Sequence, residues 1–307
     1  MQGTISESDW MVPFPRAAVD ELEQALQRLR RDPLPLLLLS PAQFALSACA
    51  AVMTAVNRKL RHSIGLAVID RIPVERFSAD ENCALYWLLG SLLGRPVAQK
   101  WDGTMIYDVR DTGKALEYGV RRSVTNLELQ FHTDAPWLAL PPERVGLLCL
   151  RPAREGGVSQ VVSLATVHNE LRRRHPDLLP RLYRPFPWDR QAEHAPGDDK
   201  VAWQPVFHSA GRDLVARYNE TLIGNAEALT GAPLDREGRE ALAGMRAIAD
   251  SPEVRVEFTI ERGQIQYLNN LCVAHSRTRF KDAEEPHLKR HLIRLWHRNE
   301  GRRTFHG

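Results

Sequence analysis

Hydrophobic positions recur every three or four residues in the first third of the chain, and this spacing predicts helices. Residues 17–31 (AAVDELEQALQRLRR) follow it, and Ser40 is expected to cap a second helix that runs to about Arg61. A third helix is predicted over residues 78–93, which begin with acidic side chains and stop at Gly94. The first third is therefore predicted to be rich in helix.

Short runs of apolar and β-branched residues predict strands over the rest of the chain. They are residues 65–70, 105–109, 145–150, 158–162 and 254–260, followed by GQIQYLNN, CVAHSRT and HLIRLWH. Two more helices are predicted, one after Ser163 and one over residues 234–250. Because no repeat, low-complexity tract or linker divides the chain, we expect one domain over residues 1–307, mainly β with flanking helices (α+β). A helix-rich part (about 1–100) would pack on a β core (about 101–300).

The segment Tyr183 to Val201 is aromatic, rich in proline and polar. It is predicted to be a long connection, and such connections in compact domains are often functional. Both a lid and an ordered surface loop with buried aromatic residues fit this pattern.

Composition narrows the class of protein. The chain is 43% hydrophobic and 26% charged, as in soluble globular proteins, and its net charge of +3 is too small to favour nucleic-acid binding. No apolar run is long enough to span a membrane, and the first residues do not resemble a secretory signal, so we expect a cytoplasmic protein. The four scattered cysteines are expected to be reduced, buried thiols.

The first chemical signal is the pair His132 and Asp134, which follows the strand-like stretch NLELQF. Residues two apart on a strand point to the same face, so this imidazole and carboxylate can reach one metal ion. Alone the pair is weak, since a turn exposed to solvent would look the same.

A distant histidine strengthens the signal. His275 lies in an otherwise apolar strand, where an imidazole needs a partner. Two imidazoles and one carboxylate leave one side of a metal open, which suits non-haem Fe(II) that binds a cosubstrate and O₂. Zinc hydrolases also use such ligands, so the residues alone leave the metal open.

Two arginines follow in the next predicted strand. Arg290 and Arg294 are four residues apart and are predicted to share one face of it. Buried guanidinium groups are costly unless they meet anions, and a dicarboxylate cosubstrate and an acidic substrate group would supply them. Ordinary salt bridges to neighbouring strands are the alternative.

Four motifs in this order resemble one family. FHTD, PPERVGLLCLRPAREGGVS, YLNNLCVAHSRTRF and RHLIRLW resemble the taurine dioxygenase-like (TauD/TfdA) Fe(II)/2-oxoglutarate-dependent oxygenases, which are related to the clavaminate synthases. The resemblance spans about residues 60 to 300. It implies a double-stranded β-helix, the cupin-like jelly roll, with helices packed outside. It also implies Fe(II), 2-oxoglutarate as cosubstrate and O₂.

The resemblance also implies roles for particular residues. His132, Asp134 and His275 match the iron ligands, and Arg290 and Ser159 match the residues that hold the distal carboxylate of 2-oxoglutarate. Arg294 matches a position that meets the acidic group of the substrate. It is also a candidate for binding 2-oxoglutarate together with Arg290. Ala135 is close to where the backbone of family members approaches the substrate. Further substrate candidates, from the segments expected to face the iron, are Tyr107, Asp108, Arg110 and Arg122, with structural salt bridges as the alternative for each.

The chain departs from the family pattern in two places. It has Asn269-Asn270-Leu271 before the second histidine, where many members have Asp-Asn-Arg, and four extra residues separate His275 from the arginine pair. This gap leaves the division of roles between Arg290 and Arg294 open. The carboxylate of Asp134 disfavours halogenation, because halogenases of the family have a small residue there.

The predicted function is hydroxylation of an unactivated C–H bond in a small, anionic or amino-acid-like molecule, with release of succinate and CO₂. A zinc-dependent hydrolase with the same ligands and a jelly-roll binding protein without catalysis are the alternatives. The sequence leaves the substrate and the oligomeric state open, although members of the family often form dimers or tetramers.

Overall fold

The computed structural model describes residues 5–115, 117–211 and 213–307. The helices are α1 Arg16–Arg31, α2 Ser47–His62, α3 Ala79–Leu93, α4 Leu164–Arg174, α5 Leu179–Leu182, α6 Glu220–Thr230 and α7 Arg236–Ala249. The strands are β1 Met11–Val12, β2 Leu66–Ile69, β3 Arg95–Val97, β4 Tyr107–Val109, β5 Leu129–His132, β6 Arg144–Arg151, β7 Glu155–Gly156, β8 Ser159–Ser163, β9 Pro185–Asp189, β10 Val201–Pro205, β11 Phe207–Ala210, β12 Asp213–Ala216, β13 Arg255–Phe258, β14 Ile265–Asn269, β15 Val273–Arg277, β16 Phe280–Lys281 and β17 His291–Arg298. Within the described ranges, no helix is both long and apolar enough to cross a bilayer.

Two sheets form the centre of the fold. The larger sheet has the order β1-β2-β14-β6-β17-β3, with β4 also paired to β17, and the smaller has the order β13-β8-β15-β5. All these pairs are antiparallel except that between β1 and β2. The strands predicted from short apolar runs are confirmed, with ends that differ by a few residues.

The alternation of side chains along β2 shows how the layers pack. Leu66 and Val68 contact Val161 and Val273 of the smaller sheet, whereas Ala67 and Ile69 belong to the cluster formed with α1, α2 and α3. Successive side chains of a strand point to opposite faces, so one strand serves both layers. The N-terminal helices therefore cover the outer face of the larger sheet, and the space between the sheets is left for the site. The prediction that residues 1–307 form one domain stays a prediction, and its first four residues lie outside the described ranges.

The beginning of α2 differs from the sequence prediction. Ser40 precedes a short 3-10 turn, Pro41–Gln43, and the helix begins only at Ser47. The carboxylate of Glu21 in α1 accepts hydrogen bonds from the backbone N–H groups of Ala48 at 2.8 Å and Cys49 at 2.9 Å. A side chain from another helix thus caps α2 in place of Ser40, and local spacing does not show such a cap.

The segment from Tyr183 to Val201 is not wholly a loop. Residues 185–189 form β9, which pairs antiparallel with β10, and Phe186 and Trp188 are fully buried. The irregular part is limited to residues 183–184 and 190–200. The predicted long connection is therefore mostly the turn region of a hairpin, and the aromatic residues belong to the core.

Candidate metal centre

Three side chains predicted as metal ligands meet between the two sheets. His132 ends β5 and His275 lies opposite it in the middle of β15, where the two residues are register partners. Asp134 follows β5 by two residues, and one ligand atom of each of the three residues lies within 4.8 Å of the others. We call this group, which is buried, the His–Asp–His triad.

The carboxylate of Asp134 is oriented by two donors on one side. Its Oδ2 accepts from Trp296 Nε1 at 2.7 Å and lies 3.1 Å from Arg294 Nη1. Its Oδ1 faces the imidazoles, at 3.4 Å from His132 Nε2 and 4.0 Å from His275 Nε2. Burial alone would raise the pKa of this carboxyl, but the charge of Arg294 and the contact with His132 hold the pKa well below its ordinary value. Asp134 is thus a carboxylate with Oδ1 free for a metal.

The two imidazoles are suited to ligation as well. His132 Nδ1 lies 2.9 Å from the carbonyl oxygen of Gln130, an acceptor, so the proton belongs on Nδ1 and the lone pair on Nε2. Burial, helped by the neighbouring His132, lowers the pKa of His275 to about 3, which keeps this ring neutral. Neutral imidazoles and a carboxylate on one side of a site fit the donor set of a non-haem Fe(II) centre.

The residue after the triad carboxylate has a strained backbone. Ala135 is buried and has φ of 50°, in the left-handed region that non-glycine residues seldom adopt. The side chain of Asn270 fixes the preceding residue, because it accepts from the N–H of Asp134 at 2.7 Å and donates to its carbonyl oxygen at 3.0 Å. Asn270 is the middle residue of Asn269-Asn270-Leu271, where the chain keeps the asparagine of the family pattern, and here it positions the triad.

The two predicted anion-binding arginines differ in their surroundings. Arg294 contacts Asp134 and donates from Nε to Gln99 Oε1 at 2.8 Å. Arg290 lies just before β17 rather than within it, and the pairing of β17 with β6 shifts register between His291 and Leu292.

Arg290 is a buried cation with no anion paired to it among the described residues. Its side chain is 5% exposed, its Nη1 has no hydrogen-bond partner, and no carboxylate in the described ranges lies within 4.0 Å of it as an ion pair. Burial lowers its pKa to about 10, so it remains charged at neutral pH. A Cβ added at Gly157 would lie 3.7 Å from Arg290 Nε, which places this guanidinium beside the turn that leads to Ser159. An uncompensated charge of this kind favours an anionic ligand.

Ser159 faces the same space. It is the register partner of Arg277 on β15, as Val161 is of His275, so all four side chains lie on one face of the smaller sheet. Sequence reasoning missed Arg277, which is buried and donates to the carbonyl oxygens of Thr125 and Leu127. Its only signal was an arginine two residues after His275, which period-2 geometry would have placed on the triad side.

A cavity of about 460 Å³ opens beside the triad. His132, Asp134 and Arg294 line it, as do the predicted substrate candidates Ala135 and Arg122. The other candidates and the two residues predicted for 2-oxoglutarate are not among its lining residues: Tyr107, Asp108, Arg110, Ser159 and Arg290.

The positions of the candidates outside the cavity have simple causes. The ring of Tyr107 lies 4.8 Å from the Cζ atom of Arg294 and 5.4 Å from that of Arg121, so it supports two arginines. Asp108 pairs with His291 at 2.6 Å, and this hydrogen bond lowers the pKa of Asp108. Arg110 is exposed.

Two irregular segments form the outer end of the cavity. Residues 117–123 and 189–193, which we call the mouth loops, both contribute lining residues. Arg121 of the first segment donates to Glu193 of the second at 2.7 Å, and both side chains are less than a tenth exposed. Glu193 also accepts from the backbone N–H of Trp101 at 3.1 Å. This buried ion pair links the mouth loops to each other, and no pattern in the sequence predicts it.

Comparisons with known proteins agree with this geometry. Residues 35–296 match the model of the family described as "Taurine catabolism dioxygenase TauD, TfdA family". The chain is 28% identical to FR-33289 synthase of Streptomyces rubellomurinus, over 97% of this chain and 88% of that protein. It is 33% identical to a uridine-5'-phosphate dioxygenase of a Streptomyces species, over 55% of this chain and 61% of that protein.

Solved structures share the fold. A crystal structure of asparagine oxygenase with Fe(II), hydroxyasparagine and succinate superposes with a TM-score of 0.71 at 19% identity, covering 94% of this chain and 93% of that one. The non-haem iron oxygenase OrfP with Fe and α-ketoglutaric acid gives 0.68 at 17% identity, covering 94% of both chains. These neighbours confirm the predicted jelly-roll core with flanking helices.

The chain belongs to the TauD/TfdA family. It is therefore a non-haem iron, 2-oxoglutarate-dependent dioxygenase, with Fe(II), 2-oxoglutarate and O₂ as its cofactor and cosubstrates, as predicted. Nothing in the comparisons supports a zinc hydrolase or a binding protein without catalysis.

Proposed function

We propose that this dioxygenase hydroxylates an unactivated C–H bond of a small molecule held in the cavity beside the triad. Succinate and CO₂ are released from 2-oxoglutarate in the same reaction. The observation that carries this proposal is the buried His–Asp–His triad with an open side towards the cavity. A facial set of two imidazoles and one carboxylate leaves three metal positions free for cosubstrate and O₂.

Each residue of the site has a proposed part. His132 Nε2, His275 Nε2 and Asp134 Oδ1 hold Fe(II), which when bound with 2-oxoglutarate supplies the oxidant for the C–H bond. Trp296 and Arg294 keep Asp134 Oδ2 occupied, so that the other oxygen is the one presented to the metal.

Arg290 and Ser159 are proposed to bind the distal carboxylate of 2-oxoglutarate. Among the described residues each arginine has one buried nitrogen without a partner, Nη1 of Arg290 and Nη2 of Arg294. Only Arg294 has a carboxylate beside it, that of Asp134, so Arg290 is the arginine whose charge still needs an anion. Arginine binds carboxylates with paired N–H donors, so the burial of Arg290 is offset when the anion arrives. This assignment divides the roles that the sequence left open.

The substrate is proposed to be small and polar, with Arg122 and Ala135 next to it. A cavity of about 460 Å³ is within the usual range for small-molecule sites. Two relatives in the comparisons are named for small polar substrates, namely uridine-5'-phosphate and asparagine. An amino-acid-like or anionic molecule agrees with the lining, which includes charged and amide side chains beside Trp137 and Trp296.

Anaerobic absorption spectroscopy tests this proposal. Fe(II) and 2-oxoglutarate together should give a metal-to-ligand absorption band with the wild-type protein, and His132→Ala should abolish it along with succinate release. The matched control is His175→Ala, which alters an exposed histidine at the end of α4 and should keep the band. No band in the wild type, or full succinate release by His132→Ala, would refute the function.

A further inference from the structure

A second carboxylate lines the cavity beyond the triad. Asp189 ends β9, is 2% exposed and contributes to the cavity wall. Its Oδ1 accepts from the backbone N–H of Gln191 at 2.8 Å, and its Oδ2 accepts from Asn225 Nδ2 at 3.1 Å. A carboxylate has about four acceptor positions, so about half of them remain unused.

The charge of Asp189 has no balancing cation among the described residues. In the parts of the chain that the structure describes, no Lys, Arg or His nitrogen forms an ion pair with it within 4.0 Å. The adjacent Arg190 turns away, since it lies 3.7 Å from Asp198 and donates to the carbonyl oxygen of Asp199 at 2.9 Å. A buried carboxylate that meets only neutral donors is costly unless a positive group joins it.

Helix α6 connects the part of the cavity at Asp189 with the part at the triad. Asn219, the residue before the helix, forms a backbone bridge with His132, and Asn225 donates to Asp189. Six residues of helix rise by about 9 Å. Thr221 and Asn225 line the same cavity, so the space between the two ends is continuous. That length matches a small molecule of a few carbon atoms.

We propose that Asp189 binds a positively charged amino group of the substrate and so determines which molecules enter the cavity. This inference rests on the proposed function and specifies its substrate class, an organic ammonium compound whose oxidised carbon lies at the triad. The ammonium group would donate to the unused acceptor positions of Asp189 and would neutralise its charge. Asp189 acts on specificity only, since it lies away from the reacting atoms.

A neutral residue could serve the local structure once the amide of Asn225 rotates to accept from it. Asparagine at position 189 would still accept the N–H of Gln191 through its amide oxygen, so the turn does not need a charge. The charge itself is what the fold leaves unexplained, and a cationic ligand explains it.

Calorimetric titration of the full-length protein with Fe(II) and 2-oxoglutarate, under anaerobic conditions, tests the inference. The probes are n-butylammonium, n-butanol and butyrate, which share a chain and differ in charge. Wild-type protein should bind n-butylammonium at least about tenfold more tightly than the other two, as expected for a charged hydrogen bond. Absence of that preference in the wild type overturns the proposal without any variant.

Two substitutions locate the effect. Asp189→Asn should remove the preference for n-butylammonium, whereas Glu117→Gln, at an exposed carboxylate of the same cavity, should retain it. An Asp189→Asn protein that keeps the preference also overturns the proposal.

The absorption band separates this inference from the proposed function. Asp189→Asn should still form the band with Fe(II) and 2-oxoglutarate, because Asp189 does not contact the triad. If the wild type gives no band, the proposed function fails, while the ammonium preference still tests Asp189 by itself.

Discussion

The triad and the mouth loops are two ends of one cavity, and they are built in different ways. His132 and His275 are register partners on neighbouring strands, so the hydrogen bonds of the smaller sheet fix their separation. The mouth loops, residues 117–123 and 189–193, belong to no sheet except at Asp189 and are fastened by the ion pair of Arg121 and Glu193. The chemistry of the family is thus placed on rigid elements, and selection of the substrate is left to segments that can vary without disturbing it.

The largest expected effect concerns the arginines near the triad, at the end of the cavity that is built on strands. Arg290→Ala should raise the 2-oxoglutarate concentration needed for half-maximal succinate release by about a thousandfold, which corresponds to about 4 kcal/mol of binding free energy. The reason is that the distal carboxylate of 2-oxoglutarate would be buried without its cation. Arg294→Ala should instead weaken Fe(II) binding, since Asp134 Oδ2 loses its charged partner and keeps only Trp296. Titrations of 2-oxoglutarate and of Fe(II) measure the two effects, and an exchange of the two results would reverse the proposed roles.

The next effect concerns the mouth loops. Glu193→Gln leaves the guanidinium of Arg121 buried without its anion, and we expect the free energy of unfolding to fall by about 3 kcal/mol. Urea denaturation measures this loss. The control is Glu261→Gln, which breaks an exposed pair with Arg71 and should cost less than about 0.5 kcal/mol. Equal losses of unfolding free energy in the two variants would show that the buried ion pair does not stabilise the mouth loops.

The same division separates what the sequence could predict from what it could not. Most strands of the two central sheets and most helices follow from local periodicity, whereas β1, β3 and the hairpin strands β9 to β12 were not predicted. The triad follows from His132 and Asp134 at strand spacing with a histidine in an apolar strand. Ser163 and the acidic start of α3 also signalled helix ends correctly, because these caps use neighbours in the chain.

Contacts between distant segments were not predictable in this way. Arg121 and Glu193 are 72 residues apart in loops without periodicity, and Glu21 caps a helix to which it is not adjacent in sequence. Asp189 looked like one acidic residue in a polar connection, and only the packing of α6 against β9 places it in the cavity wall. Such features depend on tertiary geometry, which hydrophobic patterning does not encode residue by residue.

A smaller effect comes from the opposite face of the strand that carries Arg294. His297 on β17 is fully buried, and neither ring nitrogen has a hydrogen-bond partner within the described ranges. Burial lowers its pKa from 6.5 to about 3. Between these values only the unfolded chain binds the proton, so the stabilisation present above pH 6.5 is lost as the pH falls.

His297→Leu should therefore reduce acid sensitivity. Between pH 7 and pH 5 the wild type should lose about 2 kcal/mol of unfolding free energy that the variant retains. Urea denaturation at both values, without metal, measures the difference, and His175→Leu is the exposed control. An identical pH dependence in His297→Leu and wild type would mean that this buried ring does not act on stability through its proton.

The smallest expected effect marks the outer limit of the site. Sequence reasoning offered Arg110 and Arg122 as equal substrate candidates, but Arg122 lines the cavity and Arg110 is exposed beyond it. Arg110→Ala should change the unfolding free energy by less than about 0.5 kcal/mol and leave succinate release within about twofold of wild type, because isolated surface charges contribute little. Arg122→Ala is the matched comparison, and it should weaken binding of anionic probes such as butyrate. A large loss of succinate release in Arg110→Ala alone would contradict this expectation. It would show that the site extends to β4 and that the loops around the cavity rearrange to bring Arg110 to the substrate.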